Sequence, residues 1–143
     1  MEGYAKAIDD RDCTVRALAN ASGMPYQRAY DLLAAAGRRK GRGMYQSKWL
    51  PVYEQHMALE HSQYLSSSFP TVTTLTRKLR ELGGTYIVTI RQHVAVCRDG
   101  KWVDWLEGNR RHHIRSVWKV LDAPEPLREL APMPNTDTQM ALL

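Results

Sequence analysis

Three side chains of this 143-residue chain have the types and order of an activated thiol: Cys13, His93 and Asp104. Cys13 stands in Asp-Arg-Asp-Cys-Thr-Val-Arg-Ala-Leu-Ala, where an acidic stretch passes into a helical pattern. A cysteine at a helix N-terminus faces unpaired backbone N–H groups and the positive end of the macrodipole, and both favour thiolate over thiol. Asp9, Asp10 and Asp12 oppose this by like-charge repulsion, and Arg11 and Arg16 offset part of that. Eighty residues on, His93 opens a segment His-Val-Ala-Val-Cys-Arg-Asp-Gly-Lys-Trp-Val-Asp that reads as a β-hairpin. The three supply a nucleophile, a base and an orienting carboxylate.

The hairpin predicts a register. With Asp99-Gly100 as a two-residue turn, Arg98 faces Lys101 and Ala95 faces Asp104. His93 lies two residues from Ala95 and shares its face, so His93 and Asp104 become diagonal cross-strand neighbours. A slip of one residue would separate them. A carboxylate beside the imidazole fixes its tautomer and stabilises the imidazolium. A first helix packed on this same face would bring Cys13 to the other ring nitrogen.

Other elements must hold these residues in place. The pattern predicts helix one over about Cys13 to Ser22, with Asp10 or Asp12 as N-cap and Gly23 as stop. Helix two begins with Pro25 near its first position and runs to about Ala36, its apolar face being Tyr26, Ala29, Tyr30 and Leu33. A third helix follows Ser47, with Pro51 in or near its first turn. His61 to Pro70 reads as a serine-rich loop, and a fourth helix covers about Thr71 to Leu82 before Gly83-Gly84. The period then changes to two. Four strands are expected over Tyr86 to Arg91, His93 to Arg98, Lys101 to Leu106 and His113 to Val120. Helices first and sheet second is an α+β pattern, with N-terminal helices packed on a C-terminal antiparallel sheet of about four strands. Residues 1–120 are read as one domain and 121–143 as an extended, acidic, proline-rich tail.

Composition bounds the function. Apolar content of 43% and charged content of 24% are globular values. No run of 18 apolar residues exists, so no membrane span is expected. Two cysteines and an N-terminus without a signal-peptide pattern suit a reduced, cytoplasmic setting, or a virion that carries the chain. The net charge of +5 is uneven: −3 from Leu121 onward and +8 before it. Arg38, Arg39, Lys40 and Arg42 form the densest basic stretch, with Lys48 after it and no acid from Asp31 to Glu54. Such a loop suits phosphates, nucleic acid or an acidic protein, or is simply a solvated loop. No aromatic residues interleave with these bases for base stacking.

A cysteine at a helix start, a histidine on a strand and an aspartate on the next strand resemble the papain-like cysteine hydrolases. Asp12-Cys13-Thr14-Val15 and the His93 to Lys101 hairpin also resemble the NlpC-type cell-wall amidohydrolases. The nearest likeness is to small uncharacterised phage and plasmid papain-like proteins, over roughly residues 9–37 and 84–106. The resemblance implies a papain-like fold and peptidase, isopeptidase or amidase chemistry, without cofactor or metal. Cys13 would be the nucleophile, His93 the general base and acid, and Asp104 the orienting group. Papain-like enzymes usually carry a glutamine before the cysteine as an oxyanion donor. None precedes Cys13; Asp10 is the candidate by position, but an ionised carboxylate cannot donate.

Each residue also has a plainer reading. Cys13 alone reads as a small buried hydrophobe, His93 as a strand-edge histidine, and Asp104 as a turn residue. A Cys13–Cys97–His93 metal cluster lacks CxxC or HxxxH spacing. Trp102, Trp105 and Trp118 read as core and cleft wall. Two functions therefore stay open. One is a phage-encoded cysteine hydrolase acting on a peptide or protein substrate. The other is an inactive protein of the same fold, serving as a virion component or binding a host factor.

Overall fold

The computed structural model describes residues 11–103 and 112–124. Its elements run α1 (Cys13–Ser22), α2 (Tyr26–Ala35), α3 (Gln46–His56), β1 (Leu59–His61), α4 (Gln63–Ser68), α5 (Val72–Leu82), β2 (Thr85–Ile90), β3 (His93–Arg98), β4 (Lys101–Trp102) and β5 (Ser116–Val120). The strands form one antiparallel sheet in the order β1-β5-β2-β3-β4. The protein is α+β, with helices leading and a five-stranded sheet.

Helices cover both faces of the sheet. Val15, Leu18, Leu33, Trp49 and Tyr53 of α1 to α3 pack with Ile87, Val94, Val96, Trp118 and Val120. On the opposite face Leu75 and Leu79 of α5 pack with Val88, Ala95, Cys97 and Val117. β2 is buried along its whole length, as expected of a central strand covered twice. Helix ends follow local rules. Gly23 adopts the left-handed conformation, φ 84°, and donates its N–H to the Ala19 carbonyl. Thr71 and Thr74 cap α5 reciprocally, hydroxyl to backbone N–H in both directions.

The expected hairpin register holds through the described residues. Arg98 pairs with Lys101 and Cys97 with Trp102 across Asp99 and Gly100, whose φ angles of 54° and 81° mark the turn that matches strand twist. Val103 N–H then bonds the Val96 carbonyl at 2.9 Å. Gly100 has a second constraint, because a Cβ there would sit 2.6 Å from Arg80 Cβ and 2.7 Å from Arg80 Cα. Replacing it by alanine combines a left-handed penalty of roughly 1–2 kcal/mol with displacement of the α5 backbone. G100A should therefore lose at least about 2 kcal/mol of stability by urea unfolding. An unchanged midpoint would show that α5 does not dock on the turn.

Two expectations are corrected. The 61–70 stretch is not a loop: Leu59–His61 pairs with β5, and α4 follows, capped by the Ser62 hydroxyl accepting from Leu65 N–H at 3.2 Å. The sheet thus has five strands, and its β1 edge comes from the N-terminal half. α3 starts at Gln46 rather than after Ser47, which places Pro51 in its second turn, next to the first. Of the tail, Leu121 N–H donates to the Ala58 carbonyl and Asp122 accepts from Ala58 N–H, so the start of that segment is fastened to the domain. Residues 125–143 lie outside the described residues.

Candidate active site

Cys13 is the first residue of α1, and four contacts fix the chain around it. Asp12 is the N-cap by position, yet its carboxylate makes no capping bond. Fully buried, it instead accepts from Arg16 Nε at 3.0 Å and from Tyr26 Oη at 2.8 Å. The first-turn amides of α1 therefore receive no bond from the Asp12 side chain. The Tyr53 hydroxyl donates to the Thr14 carbonyl at 2.5 Å. Arg38 Nη2 donates to the Arg11 carbonyl at 2.8 Å, and its guanidinium lies 5.5 Å from the Tyr30 ring centroid. At the far end of α1, Arg98 Nη2 donates to the Asn20 carbonyl at 2.6 Å, tying the helix to β3.

His93 is the first residue of β3, directly after Gln92, whose φ of 57° is a left-handed value seldom taken outside glycine and asparagine. Cys13 and His93, each half-buried, line one cleft of about 870 Å³. Thr14, Thr89, Gln46 and Gln92 belong to its wall, as do Met44 and Trp49. The volume lies at the upper end of the roughly 300–1,000 Å³ usual for ligand sites.

The route by which His93 reaches this cleft differs from the expected one. Strand alternation does put His93 with Ala95 and Cys97, but that face is covered by α5. α1 packs on the Val94 and Val96 face. His93 therefore contributes from the end of the sheet, beside the β2–β3 turn, rather than from beneath the helix. Asp104 and Asp10 lie outside the described residues, as does Trp105. Of the other tryptophans, Trp118 is core against Trp49 and Trp102 donates its Nε1–H to Thr76 Oγ1 at 2.9 Å; the cleft wall takes Trp49 instead.

The basic stretch divides. Arg39 and Arg42 line the cleft; Lys40 is exposed away from it. Arg38 is not an available loop cation, being 6% exposed and engaged with Arg11 and Tyr30. Lys48 and Arg115 complete the cleft's cations, and no aspartate or glutamate lines it among the described residues. Arg115 carries no sequence signal, since it follows two histidines and two arginines that read as a basic loop. Gln46 and Gln92 carry none either, because the papain-like pattern places its amide upstream of the cysteine. Two hydroxyls in the wall, Thr14 Oγ1 and Thr89 Oγ1, are buried without a hydrogen-bond partner. Each such group costs about 1–3 kcal/mol, and it calls for a functional or solvent partner.

Cys97 is a different kind of thiol. Buried among Val88, Leu75 and Leu79, it is pushed up to about 12 by desolvation, which outweighs the Gly100 backbone bond and Arg80. Burial, and then the neighbouring Cys13, raise Tyr53 well above the usual 10.0. Both groups hold their protons more tightly folded than unfolded. Their contribution is complete below the unfolded values near 9.0 and 10.0 and is lost as pH climbs toward the folded ones. Stability should fall from about pH 9 upward, and Cys97 should resist alkylation until the protein unfolds. Denaturant midpoints measured across this range, beside intact-mass labelling of a Cys13→Ser variant, check both. Native labelling of Cys97 at neutral pH would contradict its burial.

Among the described residues no group of three or more histidine, cysteine or carboxylate side chains could hold a metal, and no helix is long and apolar enough to cross a membrane. Comparison of the chain with protein-family models, with curated proteins and with solved structures gives no match.

Proposed function

We propose that this chain is a cysteine hydrolase of the papain-like type, cleaving a peptide, isopeptide or other amide bond in a peptide or protein substrate. The observation that supports this most is that Cys13 and His93, eighty residues apart, line the same cleft, with the thiol at a helix start. Cys13 Sγ, its proton already on His93, attacks the carbonyl carbon. The Cys13 backbone N–H supports the developing oxyanion, and Gln46 and Gln92 are the side-chain amides the cleft offers as a second donor. As the C–N bond breaks, His93 passes its proton to the leaving amine. A thioester remains on Cys13. His93 then takes a proton from water, whose oxygen attacks the thioester; the C–S bond breaks, the acid departs, and the Cys13 thiolate beside protonated His93 is restored. Asp104 is assigned to orient His93, from its place in the hairpin sequence.

The test is the alkylation rate of Cys13 against pH, by intact mass, in a Cys97→Ser background. Rapid reaction at about pH 5.5, where a free thiol of pKa near 8.5 is almost wholly protonated, is the expected result. A rate that follows free-thiol ionisation would mean a cleft without this chemistry, leaving a binding protein.

A further inference from the structure

We infer that the cleft takes a negatively charged polypeptide segment, whose carboxylates are held by Arg39, Arg42, Lys48 and Arg115 while its backbone lies against Cys13. This names a substrate class for the site and rests on the hydrolase reading only for the chemistry after binding.

The cations come from three places in the fold. Arg39 and Arg42 lie between α2 and α3, Lys48 is in the first turn of α3, and Arg115 directly precedes β5. Separate segments converging with one sign of charge, and with no acid among the described wall residues, focus the potential in the cleft. Arg115 and Arg39 are exposed residues, so a partner's carboxylates can reach them without unfolding anything. Arginine favours carboxylates through its planar fork of donors.

The second observation is polar rather than charged. Thr14 and Thr89, 1% and 6% exposed, carry hydroxyls without a partner in the wall of this same cleft. With almost no accessible surface these oxygens meet an incoming backbone carbonyl or amide only when the side chains turn toward the cleft, and the cations carry the recognition. Met44 and Ala36 add apolar wall for side chains. A single-stranded nucleic acid fits less well. It needs successive aromatic platforms, and among the described residues the cleft offers one exposed ring, Tyr45 at 84%, while Trp49 is buried. A thiol also finds acyl carbons to attack in a polypeptide.

Fluorescence anisotropy on the full chain decides this, with labelled peptides alternating Ser with Glu, Gln or Lys, and a single-stranded DNA of equal length. The Glu peptide should bind at least about tenfold more tightly than the Gln peptide, the scale of one charge-assisted hydrogen bond. Arg39→Ala with Arg42→Ala, and separately Arg115→Ala, should each remove most of that preference, whereas Arg28→Ala, on the exposed side of α2, should not. Bound Glu peptide should also slow alkylation of Cys13. Equal binding of Glu and Gln peptides overturns the inference, as does a preference that survives both sets of variants. Tighter binding of the DNA, with protection of Cys13, overturns it in favour of nucleic acid. The two readings fail separately. An acidic preference with a Cys13 that ionises like a free thiol keeps this inference and ends the hydrolase reading; a reactive thiolate without that preference does the reverse.

Discussion

Replacing His93 by alanine should slow alkylation of Cys13 about tenfold at pH 5.5 and reverse the order of the two proteins above about pH 6.5, because the free thiol's rate rises about tenfold per pH unit while the paired thiolate's is flat. Two opposing effects set this size. At pH 5.5 a free thiol with a pKa near 8.5 is ionised to about one part in a thousand, whereas a thiol paired with an imidazolium is almost fully ionised. That difference alone is about three decades. A less basic thiolate is also less nucleophilic, with a Brønsted coefficient of about 0.4–0.5, which takes back roughly two of them. The net loss is therefore modest, and the crossing of the two rate profiles is the more diagnostic sign. His93→Gln, which keeps bulk at the strand end, should behave like the alanine variant. Parallel profiles in all three proteins would show that His93 does not act on Cys13, despite lining the same cleft.

The second large effect concerns Asp12. Its carboxylate is fully buried and engaged by Arg16 and Tyr26 immediately before the nucleophile. Asp12→Ala leaves the Arg16 guanidinium without its partner and strips the Tyr26 hydroxyl of its acceptor. Removing one member of a buried pair costs about 3–5 kcal/mol. Arg16 keeps some access to water, which places this case at the lower end, about 3 kcal/mol. That corresponds to a fall in melting temperature of roughly 10 °C for a domain of this size. Tyr26→Phe should cost about 1 kcal/mol, because Asp12 retains Arg16. Equal losses in the two variants, by calorimetry, would mean that the ion pair contributes nothing and that the tyrosine bond carries the site.

How much of the fold is legible in the chain depends on how local each cause is. The β3–β4 register was legible because a two-residue Asp-Gly turn leaves one pairing, and Arg98 does face Lys101. α1 and α2 were legible because glycines end them and their apolar residues recur at helical spacing. β1 was not. Three residues carry no detectable alternation, and their partner strand lies about sixty residues further on. α4 was masked by its serines, although Ser62 caps it. At the site, residue types and order marked Cys13 and His93 as members of one cleft. Which sheet face α1 would cover is decided by tertiary packing, and there the expectation failed. Arg38 failed for a similar reason: a run of cations reads as solvated, yet one of them is buried against Tyr30 and the Arg11 carbonyl.

The most direct test of the pairing of Cys13 with His93 is reciprocal, observing the histidine instead of the thiol. The His93 ring is titrated by NMR in the Cys97→Ser protein with and without Cys13→Ser. A thiolate partner should keep His93 protonated well above the ordinary histidine value of about 6.5, and removing the sulfur should bring its titration back toward that value. A His93 curve that does not move when Cys13 becomes serine would contradict the pairing, and with it the nucleophile and base assigned to this cleft.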